Sequence, residues 1–157
     1  MRVIVLICVL FASVASAQAA RDYWILGTNT DSIGAPTSVS MIDVSRITTS
    51  GGIKTAWLDT FFPPGQRDGL QRTITLVEID CAGWRMRTLR ISAVYRGSPS
   101  PVTVPGEGTW ETVRQRTAAN ASVSFVCASN QQREANPALF HLGSNLPQGA
   151  ADLIFER

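Results

Sequence analysis

Two long segments of alternating apolar residues, Gln71 to Cys81 and Trp84 to Arg96, are separated only by Ala82 and Gly83. That gap has room for a tight turn and nothing more, so the two segments must fold as paired antiparallel strands. In the second, Trp84 and Met86 alternate with Arg85 and Arg87, but from Leu89 onward the apolar set is Leu89, Ile91, Ala93 and Tyr95. A one-residue slip in phase needs one extra residue, which predicts a β-bulge or a bend near Thr88, with a change in which face is buried. The first segment slips in the same way, from Ile74 and Leu76 to Val77, Ile79 and Cys81. Paired slips in neighbouring strands predict a strongly curved sheet.

The remaining pattern is short apolar runs between Gly, Pro, Ser and Asn, as in antiparallel β structure. Tyr23 to Gly27 and Ser38 to Asp43 read as early strands. Ser50, Gly51 and Gly52 supply a turn into Ile53 to Phe62, which suggests a hairpin, and Pro63, Pro64 and Gly65 end that strand. Gly97 to Pro105 reads as a loop, and Thr109 to Val113 carries an isolated Trp110. From Thr117 to Ala128 the apolar positions Ala119, Val123, Val126 and Cys127 favour a short helix over a strand. The fold expected is mainly β (α+β): a single curved antiparallel sheet of about six strands with a short C-terminal helix. Residues 131–157, broken by Pro137, Gly143, Pro147 and Gly149, are expected to be an irregular tail in which Ala151 to Phe155 returns as a short element.

The N-terminus reads as a secretory signal peptide over residues 1–19. Arg2 supplies the charge, Val3 to Val14 the apolar stretch, and small residues allow cleavage after Ala17 or Ala19. Export to the periplasm or beyond, without a stable membrane anchor, is the expectation. Cys8 falls inside the apolar stretch, so the mature chain, with its β domain over residues 20–130, keeps Cys81 and Cys127. In an oxidising compartment two remaining cysteines pair, and here they would tie the helix to the sheet. A redox-active pair is the alternative, but no C-x-x-C spacing supports it. At 157 residues, 45% apolar and 17% charged, the chain is one compact domain. A formal charge of +2 gives no field that would steer it to nucleic acid.

Sequence signals for catalysis are sparse. There is no G-x-S-x-G elbow, H-E-x-x-H helix or phosphate loop, and the single histidine, His141, lies in the tail. No catalytic residues, metal site or cofactor are expected. The best acid pair is Glu78 and Asp80, two apart on one strand face at a separation that suits an inverting glycosidase, so a small periplasmic hydrolase is the alternative function. The same carboxylates can instead pair across strands with arginines. Arginine outnumbers lysine thirteen to one, and Arg85, Arg87 and Arg90 are candidate anion-binding residues, although the phase slip argues against one continuous face. Trp24, Trp57, Trp84 and Trp110 are read as core anchors.

The order of landmarks resembles the bacterial surface-adhesin protein E-like domain family. The likeness runs from about Tyr23 to Ala128 and includes Asp43 to Ile47, Val77 to Cys81 (VEIDC), Trp84 to Leu89 (WRMRTL), Trp110 to Val113 and Phe125 to Cys127 (FVC). It implies a small antiparallel sheet with a helix tied to it by one disulfide, and a non-enzymatic binding module. The partner would be a protein or envelope ligand, with host matrix proteins as the adhesin case. The namesake is lipid-anchored, whereas this chain lacks a lipid-attachment cysteine.

Overall fold

The computed structural model describes residues 20–65 and 68–156, so the expected signal segment lies outside the described residues. The strands are β1 (Tyr23–Thr30), β2 (Pro36–Asp43), β3 (Thr48–Ser50), β4 (Ile53–Phe61), β5 (Leu70–Asp80), β6 (Arg85–Tyr95), β7 (Val102–Pro105), β8 (Glu111–Thr112) and β9 (Phe140–Gly143). The helices are α1 (Ala118–Cys127), α2 (Asn130–Glu134) and α3 (Pro147–Phe155). All nine strands form one antiparallel sheet in the order β7-β6-β5-β4-β2-β1-β9, with β3 on β4 and β8 on β6. The open, curved sheet and the α1 helix agree with expectation, but the described residues form nine strands where about six were expected. The extra ones are short, and edge position or a neighbour's register defines them more than their own sequence does.

Asp43 shows how a local sequence breaks a strand. One carboxylate oxygen accepts from the Ser45 N–H (3.1 Å), the Ser45 hydroxyl (2.6 Å) and the Asp22 N–H (3.1 Å). It thereby caps a 3₁₀ turn, Val44–Arg46, that carries Arg46 out of the sheet before β3 resumes pairing with β4. The hairpin turn at Gly51 and Gly52, both at positive φ, therefore joins β3 to β4, while β2 pairs farther along the same strand.

At the sheet centre, β5 and β6 pair from Asp80 opposite Arg85 to Leu70 opposite Tyr95, with a register break between Leu76 and Val77. Leu76 faces Arg90 and Val77 faces Thr88, which leaves Leu89 as the extra residue of the bulge expected near Thr88. The loop after β7 seals the bulge, because Gly106 N–H donates to Leu89 O (2.9 Å) and Gly108 N–H to Thr88 O (3.0 Å). The turn between the strands occupies Cys81 to Trp84. Trp84 stands there at φ +48°, packed on the core with its indole N–H donated to Asn120 Oδ1 at 3.3 Å. Residues Gly97 to Pro105 are not all loop. Val102–Pro105 adds β7 as an edge strand, with Pro101 just before it and Pro105 at its end.

Each sheet face has its own core. On one, α1 covers Trp24, Leu26, Ile42, Ala56, Val77 and Ile79 with Val123, Phe125 and Val126. Thr117 caps α1 by accepting from Asn120 N–H at 3.2 Å. Its C-terminus is held three ways. Cys127 is disulfide-bonded to Cys81 at the end of β5, with Cα atoms 5.6 Å apart. Lys54 Nζ donates to Val126 O (2.8 Å), and buried Arg133 donates to Phe125 O (2.9 Å) and Val126 O (3.2 Å). Burial pushes the Lys54 ammonium below its ordinary pKa, and Arg133 adds to the effect. On the opposite face, α3 covers Tyr23, Val39, Met41 and Phe61 through Ala150, Ala151, Ile154 and Phe155.

The segment 131–157, expected as an irregular tail, thus contains most of α2, an edge strand and the helix that completes the second core. Its elements are four to nine residues long and gain their stability from what they dock onto.

A Cβ at Gly106 would lie 2.2 Å from Thr88 O, so Gly106→Ala should lower unfolding stability by roughly 1–3 kcal/mol in urea titration. Gly149→Ala, where nothing lies within 4 Å, should be neutral or stabilising by up to about 1 kcal/mol. Replacing both Cys81 and Cys127 by Ala, which opens a 46-residue closure, should cost roughly 4 kcal/mol in the same assay. A loss under about 1 kcal/mol would show that Lys54 and Arg133 hold α1 unaided.

Candidate functional site

Helix α3 covers β1, β2 and the end of β4 at Phe61, and the rest of the β4–β6 side has no helix over it. Register places Thr55, Trp57 and Asp59 of β4 there, with Arg72, Ile74, Leu76, Glu78 and Asp80 of β5 and Arg85 and Arg87 of β6. The bulge at Leu89 inserts one residue, so Arg90, opposite Leu76, falls on this same face. The phase slip thus unites the three candidate arginines on one face, contrary to the sequence expectation.

Their environments differ. Arg85 pairs with Asp80 through Nε (3.1 Å) and Nη2 (2.6 Å), and Arg87 pairs with Glu78 through Nε (2.7 Å) and Nη2 (2.5 Å). Both guanidinium groups also lie over Trp110, at 5.3 and 4.7 Å from the ring centroid. The Gly83 N–H, with Arg85, holds Asp80 below the usual carboxylate range. Both carboxylates of the Glu78 and Asp80 pair are engaged as cross-strand ion pairs.

Arg90 makes no ion pair among the described residues and reaches across to Trp57, its guanidinium carbon 5.0 Å from the ring centroid. From the other flank, Arg46 reaches the same ring at 4.7 Å, also without a carboxylate partner among the described residues. Trp57 and Trp110 are therefore not core anchors. They are half-buried platforms for arginine on the open face, whereas Trp24 is buried under α1 and Trp84 packs on that core. Arg46 lies eleven positions before Trp57, and only the turn capped by Asp43 brings the two together.

Where α3 ends and the open face begins there is a cleft of about 810 Å³, lined by Arg21, Tyr23, Arg46, Arg72, Ile74 and the 144–149 segment. Beneath it lie two aspartates, each no more than 2% exposed. Arg72 binds Asp59 Oδ1 through Nε (2.9 Å) and Nη2 (2.7 Å). Arg21 lies 3.8 Å from the second oxygen of Asp43 and donates to the Tyr23 hydroxyl at 2.9 Å.

His141, on β9, stacks on Trp24 with centroids 4.4 Å apart and pairs with Asp22 at 2.5 Å, so it serves the junction of β1 and β9. Among the described residues no group of three His, Cys, Asp or Glu is arranged to hold a metal, and no helix is long and apolar enough to cross a membrane. A disulfide such as Cys81–Cys127 belongs to an oxidising, exported environment. No family model matches the chain, and comparisons with curated proteins and with solved structures give no match.

Burial pushes the Asp59 carboxyl above its ordinary 3.8, with Arg72 pulling the other way. A raised folded-state pKa means that the folded chain holds this proton more tightly than the unfolded chain. Its contribution is complete below the unfolded value and is lost as pH rises through the folded one. Urea unfolding across this window should therefore show the wild type losing stability relative to Asp59→Asn as pH increases from 3.8. The opposite slope would mean that Arg72 outweighs burial.

Proposed function

We propose that this chain is an exported, non-enzymatic binding module, released to the periplasm or the exterior after cleavage at Ala17 or Ala19, that engages an acidic protein surface with its open sheet face. The observation that carries this reading is Trp57 flanked by Arg46 and Arg90, two cations without carboxylate partners among the described residues, on the half-face that α3 leaves bare. A half-buried aromatic between arginines is the composition of interface hot spots, and charge complementarity then favours an acidic partner. The two carboxylates nearby are already neutralised by Arg85 and Arg87, so the free charge of the face is positive. The resemblance to surface-adhesin protein E-like domains points the same way and makes host matrix proteins candidates beside envelope proteins.

A photo-crosslinking residue at Thr55, on the open face, and one at the exposed Ser124 of α1 separate the two sides of the molecule. In exporting cells the Thr55 probe should give a discrete adduct that is lost in Trp57→Ala and in Arg90→Ala, and the Ser124 probe should give none. Equal labelling from both positions, or an adduct indifferent to Trp57, would overturn the assignment of this face. Proteolysis on intact cells, compared with cells opened by osmotic shock, then separates a surface adhesin from a periplasmic module.

A further inference from the structure

We propose that the cleft between α3 and the open face is an oxyanion-binding site, taking a phosphate or a carboxylate on Arg46 and Arg21. The proposal deepens the binding reading above by naming the chemistry of one pocket on that face. Three arginines from separate segments converge on the cleft: Arg21 before β1, Arg46 in the 3₁₀ turn and Arg72 on β5. Among the described residues no acidic side chain lines it. The two acids that hold the cluster together, Asp43 and Asp59, are buried beneath it, 1% and 2% exposed. They anchor Arg21 and Arg72 from below without presenting negative charge to the opening.

Charge bookkeeping leaves one cation over, since three guanidinium groups face two carboxylates. Arg46 is the uncommitted one, and Trp57 beneath it fixes its position. Arg21 is only partly committed, because its contact with Asp43 is long at 3.8 Å and its side chain is half exposed. A planar guanidinium presents paired donors that match an oxyanion, and a group already positioned by stacking loses less freedom on binding. The opposite wall adds donors that nothing else uses. Leu146 provides no side-chain cap to α3, and the N–H groups of Gln148 and Gly149, which line the cleft, carry no backbone hydrogen bond. Gln148 directs its own side chain away, to Asp152 Oδ1 at 2.8 Å. Tyr23 and Ile74 line the cleft and Leu146 stands 80% exposed at its rim, so the oxyanion would be carried on an apolar body.

The test uses the full mature chain and inorganic phosphate, with acetate as a second arm, at constant ionic strength set by chloride. The expected result is saturable NMR shifts of the Arg46 Nε–H and of the Gln148 and Gly149 amides, with the exposed Arg96 and Arg114 unmoved. Arg46→Gln should weaken the apparent affinity at least tenfold while urea unfolding remains unchanged, and Arg21→Gln should weaken it less and also lower stability, because buried Asp43 loses the cation beside it. Saturation by phosphate alone assigns the site to phosphoryl ligands, and saturation by both anions extends it to carboxylates. Uniform shifts across all arginines, or shifts that persist in Arg46→Gln, would overturn the site. The Thr55 crosslink does not depend on this outcome, so failure here leaves the face assignment standing and failure there leaves the cleft.

Discussion

The end of α1 is where the architecture is decided. Cys127 binds Cys81, Lys54 and Arg133 donate to carbonyls in the last turn of the helix, and Val123, Phe125 and Val126 join the core with Trp24 of β1 and Ala56 of β4. Orphan carbonyls at a helix C-terminus are costly if buried dry, and two cations satisfy those of Phe125 and Val126 while the disulfide fixes the helix end in place. With α1 fixed on one face, the second face has only the nine residues of α3 to cover it. The sheet is wider than such a helix can shield, so its β4–β6 half remains in contact with solvent. Openness there results from the arithmetic of covering elements, and Trp57, Arg46 and Arg90 occupy the area left over.

Much of this was legible because the relevant signals are local. The turn-sized gap at Ala82 and Gly83, the phase slip at Thr88 and Leu89, and the helical spacing after Thr117 each involve residues close in sequence. The cysteine pairing followed from having two thiols and a compartment. What escaped reading depends on distant partners. Arg46 and Trp57 meet only because Asp43, held by Asp22 and Ser45, folds the intervening turn. Strand β9 has four residues and exists because β1 offers an edge. Helix α3 starts from Leu146, which lacks a capping side chain, and its one start signal, Pro147 at the first helical position, reads equally well as a chain breaker in a Gly- and Pro-rich segment. Helix α2 is the exception, since Ser129 and Gln132 form a capping box that the sequence displays openly.

The bulge at Leu89 bears on the site as well as on curvature. Without the inserted residue, Arg90 would face α1 and its guanidinium would have to be buried against the first core. With it, three arginines of β6 share a face, two neutralised by Glu78 and Asp80 and one left for Trp57. Gly106 and Gly108, by donating to Leu89 and Thr88, hold that assignment in place from the edge of the sheet.

The one lysine of the chain is occupied under α1, its ammonium donated to Val126. Every other basic side chain except His141 is therefore a guanidinium, which does not lose its proton in any aqueous compartment that a folded protein inhabits. The guanidinium charge of the open face is in that sense a permanent fixture, and only the carboxylates set among it can respond to the acidity outside. Recognition through such a face is tuned by acids on both partners and by the ionic strength outside, while its cations stay constant.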